Sequence, residues 1–109
     1  MFSFDSASEI FNQIEESQLV QFREMLYKSA FRYTENRFQW NFKTFEEKLH
    51  ADTERSIGHN AFITNCDIMA RNMSDKGEPS HWRNKLTNDR KIIGDFACML
   101  VTLIGLKNR

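Results

Sequence analysis

Arg55 and His59 stand four positions apart, directly before an apolar run. Residues four apart lie on one face of an α-helix, so these two side chains are expected to project together. Arginine holds anions through a rigid fork of N–H donors, and histidine exchanges protons near neutral pH. The pair therefore predicts a polar site on one helix face.

Carboxylates are the expected partners of this pair, because a buried arginine or histidine is costly unless it is hydrogen-bonded. Asp52 precedes Arg55 by one helical turn. Asp89 and Asp95 belong to the last predicted helix and are the candidates from across the core. We expect this polar cluster to close on itself or to border a pocket.

The same helix side continues as an apolar stripe through Phe62, Cys66, Met69 and Met73. Three interpretations of the polar cluster remain open. It is a satisfied group that fixes helix register, a ligand or catalytic pocket, or an exposed polar face. A histidine in such a pocket has the chemistry of an acid or base.

Asp95 lies on a narrow side of the last helix that carries small or polar residues. Lys91 stands four positions before it, which permits an exposed ion pair. The alternatives are that Asp95 accepts a hydrogen bond from Arg55 or His59, or that small neighbours such as Gly94 let another helix approach closely.

A basic segment offers a second candidate site, for nucleic acid. Its residues are Trp82, Arg83, Lys85 and Arg90. The tryptophan could stack on a base while the cations contact phosphate. The alternative is a tryptophan that closes one end of a helical bundle, with the flanking charges in water.

Metal and cofactor motifs are weak in this chain. Glu47-x-x-His50 has the spacing of one half of a ferritin-like di-iron site, but no second copy exists. The sequence also contains no glycine-rich phosphate loop and no G-x-S-x-G. We predict neither a metal nor a cofactor.

Composition predicts an all-α protein. The 109 residues include one proline, ten phenylalanines and 40% apolar residues, which suits a single helical domain over residues 1–109 with a real core. The formal net charge of zero indicates no general attraction to nucleic acid or acidic membrane. Cys66 and Cys98 do not form a C-x-x-C and are expected to be reduced core residues.

Capping signals and apolar spacing place the helices. A first, short helix is expected to start at the capping box Ser6-x-x-Glu9, and a longer one to follow. Apolar residues at helical spacing then run from Phe31 to Leu49, with a second capping box at Thr44-x-x-Glu47 and a break that the sequence does not locate. A helix over 52–73 and a loop over 77–87 complete the central region.

The last helix is expected to be capped by Thr87 or Asn88 and to be apolar on most sides from Ile92 to Leu106. Such a helix is the centre of a bundle or a dimer interface. At 15 residues the run is shorter than the roughly 20 that a membrane span needs. Since residues 1–5 also lack the features of a secretory signal, we expect a cytoplasmic protein that does not enter membranes.

Two resemblances add to these expectations. The pattern Arg55-x-x-x-His59-Asn60-Ala61, then Arg71, then Asp89-Arg90-x-x-Ile93-x-Asp95-Phe96-Ala97 resembles an uncharacterised bacterial all-helical family, a domain of unknown function. That resemblance implies a compact helical fold and a special role for these positions. The Arg55 and His59 pair is also similar to the motif of a helical ribonuclease and nucleotide-binding superfamily from toxin systems, in which four to six residues separate arginine from histidine. Here three residues separate them.

The expected architecture is a compact bundle of four to five helices with the apolar C-terminal helix at its centre. The leading function is that of a small, bacterial, non-enzymatic protein that binds a protein partner, with a homodimer expected. One alternative is an RNA-directed enzyme or a nucleotide-binding module that uses Arg55 and His59. The other is a nucleic-acid-binding accessory protein that uses the basic segment around Trp82.

Overall fold

The chain forms five α-helices in a computed structural model that describes residues 2–77 and 81–109. The helices are α1 (Phe4–Glu16), α2 (Val20–Trp40), α3 (Phe45–Asp75), α4 (Trp82–Leu86) and α5 (Arg90–Lys107). The described residues contain no β-strand. The all-α class and the count of four to five helices are confirmed.

Helix α1 begins three residues earlier than the sequence predicts. Ser3 is its N-cap and accepts a hydrogen bond from the backbone N–H of Ser6 at 3.2 Å. Serine satisfies one of the free amides of the first turn there, so Ser6 lies inside the helix and does not start it. The buried face of α1 has helical spacing and consists of Ala7, Ile10, Phe11 and Ile14.

Helices α2 and α3 form a long hairpin, whose turn has the capping box that the sequence predicts. The Thr44 side chain accepts from the Glu47 N–H at 3.2 Å, and the Glu47 carboxylate accepts from the Thr44 N–H at 3.0 Å. These hydrogen bonds lower the pKa of Glu47. Helix α3 therefore starts at Phe45, about two turns before the predicted 52, and ends close to the predicted 73.

The predicted loop over 77–87 is wrong in part. Trp82–Leu86 form the short helix α4, and both Trp82 and Leu86 are buried. The two apolar side chains, four residues apart, cover one end of the core, so packing stabilises a helical turn that local sequence does not favour strongly. Residues 78–80 of the predicted loop lie outside the described residues.

Helix α5 contacts each of the other four helices and is the centre of the bundle, as predicted. Its N-cap is Asp89, whose carboxylate accepts from the Lys91 N–H at 2.8 Å, in place of the predicted Thr87 or Asn88. The Thr87 hydroxyl accepts instead from the Asp89 N–H at 3.2 Å. The buried residues of α5 are Ile93, Gly94, Phe96, Ala97, Leu100 and Ile104.

The core also takes in the α3 stripe that the sequence predicts. Phe62, Cys66, Met69 and Met73 are buried, and His59 at the head of the stripe is buried with them. Both cysteines are free thiols, and burial raises the pKa of Cys66. None of the helices in the described part of the chain has the length and hydropathy to cross a membrane.

Candidate functional site

A cavity of about 420 Å³ opens between the second half of α2, the middle of α3 and the start of α5. Its walls are basic, aromatic and amide side chains, with no carboxylate among them. The lining residues are Tyr33, Asn36, Arg37, Trp40, Asn41, Arg55, Ser56, His59, Arg90 and Lys91. This cationic pocket contains both Arg55 and His59.

His59 forms the floor of the cationic pocket, where the apolar stripe of α3 ends. Its ring lies against Tyr33, with centroids 5.3 Å apart. Burial, followed by the charges of Arg90 and Arg55, lowers the pKa of His59. The imidazole is therefore neutral at pH 7, which leaves one ring nitrogen as a hydrogen-bond acceptor and the other as a donor.

Arg55 is held on two sides. One of its terminal nitrogens donates to Asp52 at 3.1 Å, which is the partner that the sequence predicts. The guanidinium carbon lies 4.4 Å from the ring centroid of Trp40, a cation–π contact. Its Nε is buried and has no acceptor among the described atoms, so a hydrogen-bonding group of Arg55 remains unused.

Helix α2 contributes Tyr33, Arg37 and Trp40, which recur at positions i, i+4 and i+7 and so share one helix face. Arg37 forms an ion pair with Asp95 of α5 at 3.5 Å. Tyr33 packs on Phe62 as well as on His59, and burial raises the pKa of its hydroxyl. This face connects the core to the mouth of the cationic pocket.

Two glycines allow these side chains to approach neighbouring helices closely. A Cβ atom placed on Gly94 of α5 would lie 2.5 Å from Arg37 Nη1 and 2.8 Å from the Tyr33 hydroxyl. A Cβ on Gly58 of α3 would lie 2.9 Å from Asn36 Nδ2. The absence of a side chain at both positions thus determines where three of the polar lining groups lie.

The start of α5 supplies Arg90 and Lys91, at the end of the helix where the backbone dipole is positive. Neither side chain forms an ion pair within residues 2–77 and 81–109. Arg90 is close enough to His59 to contribute to its lowered pKa. The two cations therefore add positive potential, part of which the Asp89 carboxylate at the N-cap of α5 offsets.

The predicted partnership of Asp89 and Asp95 with Arg55 or His59 needs correction. Asp95 pairs with Arg37, because Gly94 lets α2 approach α5 at this level. Asp89 caps α5, since its carboxylate is already engaged with the first turn of that helix. The alternative ion pair of Asp95 with Lys91 is not formed either. Among the three carboxylates, Asp52 alone contacts Arg55.

The basic segment does not form one surface. Trp82 is 1% exposed, its indole N–H donates to Met73 Sδ at 3.4 Å, and its ring packs on Phe96. Because Trp82 is buried, a base cannot stack on it. Trp82 instead closes one end of the bundle, which is the alternative that the sequence offers. Arg83 pairs with Asp67, and Lys85 pairs with Glu9 at 3.4 Å.

Of that segment, Arg90 lies in the cationic pocket, beside residues that sequence reasoning did not assign to a site. Those residues are Tyr33, Asn36, Arg37, Trp40, Asn41 and Ser56. The i, i+4, i+7 spacing of the α2 side chains was a signal for a shared face. The sequence does not predict that these α2 side chains lie close to Arg55 of α3, because that proximity depends on how the two helices pack.

Within the described residues, no group of three or more His, Cys, Asp or Glu side chains could hold a metal ion. Comparison of the chain with known protein families, with curated proteins and with solved structures found no match. The chemistry of the cationic pocket therefore rests on its own geometry.

Proposed function

We propose that the protein binds a small phosphate-bearing ligand of the nucleotide class in the cationic pocket. The observation that carries the proposal is the excess of fixed positive charge around an open cavity. Three arginines and one lysine line it, and no lining residue is acidic. Arginine is the side chain that proteins use most for bidentate binding of phosphate, because its planar guanidinium presents paired N–H donors to two oxygens.

The balance of charge favours an anion over a neutral ligand. Asp95 offsets part of the charge of Arg37, and Asp52 offsets part of that of Arg55. Arg90 and Lys91 have no carboxylate partner in the described chain. Asp89, beside them at the N-cap of α5, is engaged with the Lys91 backbone N–H. The lining of the cationic pocket therefore keeps a net positive charge that attracts phosphate.

The size and lining of the cationic pocket suit a ligand that has a flat ring as well as a phosphate. Pockets for small organic ligands typically measure about 300 to 1,000 Å³, and this one measures about 420 Å³. Trp40 and the guanidinium stacked on it provide a planar surface of the kind on which bases stack. The amides of Asn36 and Asn41 can donate to and accept from a base edge.

A protein-partner role through α5 has less support. Among the described side chains of α5, Leu106 is the large apolar one with half of its surface exposed, while the others are buried or half-buried by the rest of the bundle. An interface there would bury little apolar area beyond what the bundle already covers. The anion-binding role is therefore preferred.

Calorimetric titration with ATP, AMP, adenosine and sodium sulfate tests the proposal. We expect affinity to fall in the order ATP, AMP, adenosine, and to fall further as salt is added, because the attraction is electrostatic. Arg90→Ala should weaken AMP binding by about 10- to 100-fold, the value of a hydrogen bond to a charged group. Adenosine binding as tightly as AMP, with no effect of salt, would contradict the phosphate argument.

Arg71→Ala is the matched control, since Arg71 is an exposed arginine of α3 outside the cationic pocket. We expect it to leave AMP affinity unchanged. A parallel titration uses a short 5′-phosphorylated single-stranded RNA. RNA that binds more tightly than ATP, with the same loss in Arg90→Ala, would assign the phosphate to nucleic acid and overturn the free-nucleotide proposal.

A further inference from the structure

A second surface stands out at the end of the α2–α3 hairpin, where large apolar side chains face water. Five of them are between 46% and 77% exposed, and they form what we call the hairpin patch: Phe31, Phe38, Phe42, Phe45 and Leu49. Their spacing along the sequence is helical, but the core is elsewhere. The hairpin patch is separate from the residues that line the cationic pocket.

Three residues of the hairpin patch follow one side of α2 and of the turn after it. Phe31, Phe38 and Phe42 are separated by seven and four positions, so they share one side of the chain as it leaves the helix. The rings of Phe38 and Phe42 touch, with centroids 5.1 Å apart. The buried residues Leu26 and Ala30 belong to the other side of α2. Phe45 and Leu49, four positions apart, share one side of the first turns of α3.

We propose that a second copy of this chain covers the hairpin patch in a two-fold symmetric homodimer. At about 200 Å² for a full phenylalanine, the exposed fractions amount to about 600 Å² per copy. Complete burial of these side chains in two copies would remove about 1,200 Å² from water, the lower limit of standard specific interfaces. Monomeric proteins rarely expose a patch of this size without a binding role.

Charges at the edge of the hairpin patch favour a second copy over a partner of one charge sign. Lys43 and Glu46 flank Phe42 and Phe45 in the sequence, and neither side chain forms an ion pair in the described part of the chain. The charge of Lys43 contributes only the smallest part of the lowered pKa of Glu47. In a two-fold interface the same patch meets itself. Lys43 of each copy can then meet Glu46 of the other, whereas a uniformly acidic or basic partner would leave one of the two charges unmatched.

Light scattering after size exclusion, at protein concentrations from about 1 to about 200 µM, tests the proposal. We expect a mass twice the 13.0 kDa of one chain at the upper end of that range. Phe38→Glu and Phe45→Glu should each weaken dimerisation by at least about 30-fold, as expected for an aromatic side chain central to an interface. All these side chains are exposed, so circular dichroism should show an unchanged fold.

Leu106→Glu is the matched control, because it places the same charge on an exposed apolar residue of α5. We expect that variant to remain dimeric. Lys43→Glu and Glu46→Lys should each weaken the dimer by a few-fold, and the double variant should restore it. A monomer at every concentration overturns the proposal, as does a dimer that Leu106→Glu breaks and the phenylalanine variants do not. None of these outcomes depends on ligand binding in the cationic pocket.

Discussion

Replacement of Gly94 by alanine adds one methyl group at the contact between α2 and α5. The new Cβ would lie 2.5 Å from Arg37 Nη1 and 2.8 Å from the Tyr33 hydroxyl. Carbon atoms in van der Waals contact stand at about 3.5 to 4.0 Å. Both side chains must therefore move, and both belong to the cationic pocket.

The expected change in stability is small because opposing terms nearly cancel. Alanine in place of glycine within a helix stabilises by about 1 kcal/mol. Loss of the partly exposed Arg37–Asp95 pair costs about 0 to 1 kcal/mol. Displacement of the half-buried Tyr33 ring costs about 1 to 3 kcal/mol, as for other cases of overpacking. We expect the free energy of unfolding to fall by about 1 kcal/mol.

The expected change in ligand affinity is larger. Arg37 displaced from α5 loses its position against the anion, and one hydrogen bond to a charged group is worth about 1.5 to 3 kcal/mol. Gly94→Ala should therefore weaken AMP binding by about 10- to 100-fold. This variant separates affinity from folding, since the chain stays folded while its binding site changes.

Calorimetric titration with AMP, together with urea denaturation, measures both quantities. Gly105→Ala is the control, because it makes the same substitution in the same helix where a Cβ meets nothing within 4 Å. That control should keep wild-type affinity and gain slightly in stability. Unchanged AMP binding in Gly94→Ala, or equal losses in both variants, would refute the reasoning that Gly94 positions Arg37.

Three further predictions concern stability. Burial lowers the pKa of His59, so below about pH 6.5 the folded chain binds fewer protons than the unfolded chain, and the free energy of unfolding falls as the pH falls. His59→Gln should remove this pH dependence from denaturation curves measured between about pH 5 and 7. The same pH slope in the variant and the wild type would contradict the prediction. Trp82→Ala should lower the free energy of unfolding, measured in urea, by about 3 to 5 kcal/mol, because a fully buried indole is lost. Trp82→Phe should lose less stability and keep its affinity for AMP. A Trp82→Ala variant as stable as the wild type would argue against burial of this side chain. Thr44→Ala removes one half of the capping box of α3 and should lower the free energy of unfolding by about 1 kcal/mol, as measured by thermal denaturation. Thr53→Ala is the control, because Thr53 is an exposed residue of the same helix. Equal effects of the two substitutions would show that the cap contributes nothing.

Much of the fold could be predicted because its signals are local. The Thr44 capping box involves atoms three residues apart, and the stripe from Phe62 to Met73 needs only the period of a helix. The class, the helix count and the central position of α5 followed from such signals. Packing decides the rest: α4 is stabilised by burial of Trp82 and Leu86, and the break between α2 and α3, which periodicity alone leaves open, falls at 41–44.

The hairpin patch shows the limit of periodicity. Phe38, Phe42 and Phe45 have the spacing of a core face, yet they are exposed. Helical spacing predicts which residues share a face, but it does not predict whether that face packs on the core or faces water. The five helices leave this end of the hairpin uncovered, which only their arrangement in space reveals.

The sequence by itself determined that Arg55 and His59 share a helix face with Asp52, because the three residues are spaced at positions i, i+3 and i+7. Only the tertiary structure decided what surrounds them. Arg37 reaches Asp95 across nearly sixty residues of chain, and Gly94 allows that approach. Contacts of this kind depend on the rotation and register of packed helices, and no local sequence pattern predicts these. The packing of α2, α3 and α5 therefore turns a polar helix face into an open cationic pocket.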